Sequence, residues 1–172
     1  FIEYLKEGTS LKSGAMVFGY YVKNPQRYCV MGFNKSKVIS IEEKPKHPKS
    51  NWAITGIYFY DKDAAKIAKS IKPSGRGEIE ITDVNKQYLK QGKLKAKLLG
   101  RGYAWLDTGT YDSLIDASIF IKTIEERQGL KIGCVEEIAY RNGYISAQKL
   151  KKLADSINTS YGEYLQQILK NG

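Results

Sequence analysis

Over the first hundred positions the apolar residues fall in short alternating or continuous runs, and beyond them at helical spacing, so the chain divides before any single side chain is weighed. Residues 15–22 (AMVFGYYV) read as a strand, and Asn24 with Pro25 turns the chain. Residues 28–33 and 37–44 then pair as a hairpin about 34–36. In its second strand, alternation puts Ile39 and Ile41 on one face. The strand breaks off in Glu42, Glu43, Lys44 and Pro45, three charges and a residue with no N–H to give a ladder. The run 52–60 (WAITGIYFY), rich in aromatic and β-branched side chains, predicts a strand covered on both faces, the kind found inside an α/β sheet. A charged cluster at one strand's end beside such a strand is where open α/β sheets hold ligands.

Helical spacing frames these strands. IEYLKEG at the start reads as the tail of a helix stopped by Gly8, which makes the start look cut and predicts further sequence upstream. After residue 60, Asp61 or Asp63 can cap a helix carrying Ala64, Ala65, Ile67, Ala68 and Ile71, and Pro73 stops it. SGRGEIEITDVNKQYLKQG sets Arg76 between two glycines, where a guanidinium can approach a ligand closely, and then forms a helix ending at Gly92. A strand over 94–99 leads through Gly100, Arg101 and Gly102 to YAWLDTGTYDSL, with a lone carboxylate, Asp107, ahead of a long amphipathic helix closed by Gly129. From Ile132 onward the pattern is wholly helical, with Gly143 ending one helix, Ser146 capping the next and Ser160 with Glu163 forming a capping box for the last. The pattern therefore predicts an α/β portion over residues 1–129 and a C-terminal helical appendage over 130–172.

Charge changes this picture little. The formal net charge is +10, from 28 basic and 18 acidic residues, which invites a nucleic-acid reading. Yet Lys93, Lys95 and Lys97 alternate with Leu94, Ala96 and Leu98, the solvated face of a strand and not a basic groove with stacking aromatics. A small phosphorylated ligand suits the excess better, and neither nucleic acid nor membrane is expected as a partner. No stretch approaches the roughly 20 apolar residues of a membrane span, and no leader is visible. Cys29 and Cys134 lie far apart with no histidine nearby, so neither a zinc motif nor a disulfide framework can be argued, and a reduced, cytoplasmic setting fits best. His47, the only histidine, sits between Lys46 and Pro48, which excludes a Ser-His-Asp or Cys-His constellation within the chain. The residues left for chemistry are Glu43, Lys44, Arg76, Glu78 and Asp107, all at strand ends or glycine-rich turns. Lysine and arginine offer donors to phosphate oxygens, and a carboxylate can accept from sugar hydroxyls or hold magnesium.

At five places the residues resemble one family: EEKP at 42–45, SNWAITGIYFYD at 50–61, GRGEIEITDVN at 75–85, GRGYAWLDTGT at 100–110 and IEERQGLKIGCVEEIAYRNG at 124–143. In order and near-matching spacing they are similar to the C-terminal half of bacterial glucose-1-phosphate thymidylyltransferase. The resemblance implies a partial Rossmann-like nucleotide-diphospho-sugar transferase fold, a mixed sheet lacking its N-terminal nucleotide-binding half. It implies a reaction of dTTP with glucose 1-phosphate giving dTDP-glucose and pyrophosphate, for dTDP-rhamnose synthesis, with Mg2+ as cofactor. Glu43 would bind sugar hydroxyls, Lys44 and Arg76 the sugar phosphate, and Ile54 the sugar by its backbone. Trp105 would lie close to the reacting groups, and Asp107 would be one of two aspartates holding the metal. A second, regulatory site for dTDP-sugars would use Arg101, Glu137, Ile138 and Arg141, in a homotetramer. Where the family usually reads Tyr-Gly-Val-Val-Glu-Phe, this chain has Tyr28, Cys29, Val30, Met31, Gly32 and Phe33, and the turn after Phe33 is about two residues shorter. Cys29 thus brings a side chain to a position of the sugar pocket. No G-x-G-T-R-L nucleotide loop occurs in these 172 residues, so the chain is expected to be inactive by itself. The competing reading is a non-catalytic nucleotide-sugar-binding or oligomerisation module.

Overall fold

A computed structural model describes residues 1–75 and 77–171. Arg76 therefore lies outside the described residues. The chain forms two compact units, Phe1–Trp105 and Leu106–Gly172.

The first unit is built on five strands, β1 (Ala15–Tyr21), β2 (Cys29–Asn34), β3 (Lys37–Glu43), β4 (Trp52–Tyr60) and β5 (Leu94–Leu99), in the order β3-β2-β4-β1-β5. β1 runs antiparallel to β4 and parallel to β5, and β2 is antiparallel to both β3 and β4, so the sheet is mixed, as the family resemblance implies. Among the described residues three α-helices accompany it, α1 (Ile2–Thr9), α2 (Ala64–Ser70) and α3 (Ile81–Lys90), with a 3-10 turn over Pro25–Arg27.

The strand buried on both faces is β1. Residues 15–18 are fully covered, and alternation sends them two ways. Ala15 packs with Val84 and Tyr88 of α3, and Val17 joins Met31, Ile41 and Ile54. Met16 and Phe18 pack instead with Leu99, Tyr4 of α1 and Phe59. The sequence pattern assigned that double coverage to 52–60, where only residues 53–55 are buried, while Gly56 and Ile57 are exposed. The reason is a register shift: Val17 faces Tyr58 and Gly19 faces Ile54, so three residues of β4 oppose Phe18 alone and bow out of the ladder.

The β2–β3 hairpin closes through a two-residue loop, Asn34 facing Lys37, with Lys35 at a left-handed φ of 55°. It too is bulged. Gly32 faces Ser40 and Phe33 faces Val38, which leaves Ile39 unmatched, 55% exposed, and brings Val38 into the core beside Ile41. The expected sharing of one face by Ile39 and Ile41 is thereby broken. Gly8 lies inside α1 and does not stop it. A Cβ there would come within 2.4 Å of the Phe59 ring, so the glycine serves close approach of helix to sheet.

The second unit is helical: α4 (Tyr111–Gln128), α5 (Val135–Arg141), α6 (Ala147–Asp155) and α7 (Ser160–Asn171). Thr110 caps α4 by accepting from the Ser113 N–H, and Gly129, at φ 67°, ends it. Ser146 caps α6 as the sequence predicts, whereas before α7 it is the hydroxyl of Thr159, not Ser160, that accepts an N–H, from Tyr161. Cys134, Leu150, Ala154, Tyr164, Leu165 and Ile168 make this unit's core. No described helix is long and apolar enough to cross a membrane.

Candidate functional site

Antiparallel pairing of β2 with β3 sets Cys29 directly opposite Glu43 at the end of the hairpin. Thr82, in the first turn of α3 and fully buried, closes a triangle with them. Its Oγ1 donates to Glu43 Oε2 at 2.5 Å and lies 3.2 Å from Cys29 Sγ. Burial, with Glu43's charge adding, pushes the Cys29 thiol up to about 12 against the lowering effect of Thr82, so it keeps its proton at neutral pH. Burial likewise pushes the Tyr58 hydroxyl to about 12, with the Glu43 carboxylate nearby adding to the rise. The corner thus holds a half-buried carboxylate with a neutral hydroxyl and a neutral thiol beside it, suited to orienting hydroxyl groups of a ligand.

Lys44 follows at once. Its φ of 42° is left-handed, its N–H donates to the Tyr28 carbonyl at 3.0 Å, and its side chain is exposed. That tethered turn swings the backbone out of the ladder and fixes the start of the lysine stem next to Glu43. Trp105 packs edge-on against Tyr28 at 5.1 Å and Tyr20 at 5.9 Å, one residue from Cys29 through Tyr28. Ile54 is 5% exposed with its side chain in the core and its backbone opposite Gly19. Arg101 is exposed and lines a cavity of about 430 Å³ with Tyr20, Tyr21, Trp52, Leu99 and Gly100.

The second unit holds the remaining candidates. On α5, Arg141 Nε donates to Glu137 Oε1 at 2.7 Å, and the Tyr164 hydroxyl donates to Oε2 at 2.5 Å. Burial raises the Glu137 carboxyl, but those two bonds more than offset it and leave it below the usual range. Ile138 beside them is half exposed. Asp107 Oδ1 accepts from the Gly109 N–H at 3.2 Å. One carboxylate gives at most two of the six oxygens magnesium takes, and among the described residues no three metal-binding side chains gather. The described residues by themselves do not form a complete magnesium site.

Of the residues singled out in the sequence, the first unit thus brings together Cys29, Glu43 and Lys44, with Trp105 one aromatic contact away. The second groups Glu137, Ile138 and Arg141. Thr82, which holds Glu43, is the residue of this candidate site that the sequence did not point to; the only hint was a hydroxyl in the first turn of a helix following an acidic loop.

The nucleotidyl transferase family matches residues 1–124. The chain is 51% identical to a glucose-1-phosphate thymidylyltransferase of Neisseria meningitidis across 99% of its own length and 60% of that protein's, and 51% identical to one of Xanthomonas campestris across 98% and 58%. It thus spans about 60% of the length of these curated relatives. Among solved structures it is similar to a chain assigned as a Bacillus anthracis glucose-1-phosphate thymidylyltransferase, crystallised with sucrose, at a TM-score of 0.62 and 45% identity over 69% of this chain and 47% of that one. A UDP-glucose pyrophosphorylase complexed with UDP-glucose shares the fold, at a TM-score of 0.59 and 23% identity over 71% and 48%. With the family match covering most of its length, the chain belongs to the nucleotidyl transferase family.

Proposed function

We propose that the chain supplies the sugar-phosphate side of a glucose-1-phosphate thymidylyltransferase, joining dTTP to glucose 1-phosphate to give dTDP-glucose and pyrophosphate in the dTDP-rhamnose pathway. The observation that carries this reading is the corner at the end of β3, where Glu43 is locked by Thr82 and followed by an outward, tethered Lys44. In this reading Glu43 accepts from ring hydroxyls while Lys44 and Arg76 bind the phosphate. The Ile54 backbone lines the sugar pocket, and Trp105 stands beside the reacting groups. Phosphoryl-type transfer asks of a protein mainly alignment and neutralised charge, which cations and a fixed carboxylate can give. Asp107 would contribute one carboxylate to a Mg2+ ion that stabilises the departing pyrophosphate, its other donors coming from the part of the relatives' length that this chain does not span. Arg101, Glu137, Ile138 and Arg141 are proposed as regulatory residues for dTDP-sugars, within a cytoplasmic homotetramer.

Calorimetry with glucose 1-phosphate tests the reading. The 172-residue chain should bind it, and Lys44→Ala should weaken binding by about ten- to a hundredfold, as expected for one charged hydrogen bond. A chain that ignores glucose 1-phosphate sinks the proposal. Binding of dTDP-glucose by the chain, with no pyrophosphate release even after the missing region of a relative is supplied, would favour the binding-module alternative.

A further inference from the structure

Thr82 has one hydroxyl proton and two neighbours that could take it. Glu43 Oε2 is 2.5 Å away and Cys29 Sγ 3.2 Å away. A carboxylate is a charged, strong acceptor and a sulfur a weak one, so the proton goes to Glu43. A Thr82 lone pair then faces a thiol that burial keeps protonated, and the Glu43 carboxylate, which also hydrogen-bonds that thiol, is the competing acceptor that a Thr82→Val change tells apart. We propose that Cys29 is a positioning residue: its S–H donates to Thr82 Oγ1, whose O–H donates to Glu43, and this ordered chain aims the carboxylate at its ligand. The ligand itself rests on the sugar-phosphate reading above; the hydrogen order does not.

The fold assembles the chain from three separate pieces. Cys29 and Glu43 are cross-strand partners, and Thr82 reaches them from α3. Because Thr82 is fully buried, water cannot readily replace the thiol as its donor. With the thiol donating, the hydroxyl gains nothing by turning toward sulfur, and its bond to Glu43 persists. Without a donor there, the Thr82 oxygen is left with an unmet lone pair in a buried place, and the Glu43 link loosens.

Two measurements decide it. In Raman spectra of the 172-residue chain, the difference between the wild type and Cys29→Ala isolates the Cys29 S–H stretch from that of Cys134. That band should sit below the position of a non-bonded thiol and move up in Thr82→Val. A band indifferent to Thr82→Val overturns the proposal. In calorimetry with glucose 1-phosphate, Cys29→Ala should weaken binding about three- to tenfold. Cys29→Ser, which keeps a donor, should recover most of the loss. Undiminished affinity in Cys29→Ala overturns the proposal, as does a loss that serine fails to recover. If the wild type does not bind glucose 1-phosphate at all, the functional reading falls, and the Raman shift still decides the hydrogen order. Should Cys29→Ala lose its fold by circular dichroism, Thr82→Val carries both readings, with the same weakening expected and unchanged affinity overturning the idea.

Discussion

Asp61 collects three donors: its Oδ2 accepts from the Gly14 N–H at 2.5 Å, and its Oδ1 from the Tyr88 hydroxyl at 2.6 Å and the Asp63 N–H at 3.0 Å. One side chain thereby ties the approach to β1, the exit of β4 and α3. The Tyr88 bond first, then that of Gly14, holds its carboxyl below the usual range. A depressed carboxylate adds stability above its unfolded value of about 3.9, and that stability is lost as pH falls through the folded value. Tyr88→Phe keeps the ring against Ala15 and Val84 but removes the donor. In urea unfolding at neutral pH it should cost about 1 to 2 kcal/mol, and the gap to wild type should narrow below about pH 4. A gap that stays constant down into acid would show that the hydroxyl's partner is not the ionised Asp61. Asp61 also shows what was legible at this scale. The strand end offered Asp61 or Asp63 as the cap of α2; Asp63 takes the cap position, without a side-chain cap bond, and Asp61 acts across the fold. Glu43 could be singled out because a charged strand end is local in sequence, and Cys29 because it stands where the resembled family has glycine. Thr82 could not, since it meets Glu43 from 39 residues away, and in its own neighbourhood it is only a small residue on the inner face of a helix.

Between elements, α7 approaches the segment that ends α6 very closely at Gly162. A Cβ on Gly162 would lie 1.9 Å from the Ile157 carbonyl oxygen and 2.9 Å from that of Ala154, both backbone atoms that cannot swing aside. Helix propensity alone would favour alanine by up to about 1 kcal/mol. Overpacking should win, and Gly162→Ala is expected to destabilise the helical unit by about 1 to 3 kcal/mol, read as a lower melting temperature in near-ultraviolet circular dichroism of its tyrosines. A rise in melting temperature would mean that α6 and α7 do not meet this closely. Most elements were readable because their ends carry their own chemistry: Gly92, Gly129 and Gly143 follow helices at φ values of 67°, 67° and 72°. Apart from Gly8 in α1 and the cap before α7, the departures lie at the two bulges. One extra residue in β3, and two in β4, leave the local apolar pattern intact and change only which neighbour it meets, so the exposure of Ile39 and of Ile57 follows from pairing alone.

For the whole chain the question is what its uncovered surface does. β3 and β5 are the sheet's edges, and β5 carries Lys95 and Lys97, the latter paired with Glu7 at 2.8 Å; charge of this kind discourages edge-to-edge pairing. α4 has no comparable guard. Among its 18 residues only Ala117 is buried, while Leu114, Ile115, Ile119 and Phe120 are 40–57% exposed. An apolar row of that length favours association, and the net charge of +10 opposes it through repulsion that salt screens. The two forces differ in range, which makes the balance testable. Light scattering on a sizing column should give masses that climb above 19.4 kDa as salt is raised. Ile115→Lys with Ile119→Lys, one turn apart on the same face, should return the chain to monomer by adding charge where apolar contact forms. A single compact monomer at every salt concentration would show that the exposed row of α4 does not drive self-association, and that net charge alone does not keep the chain apart.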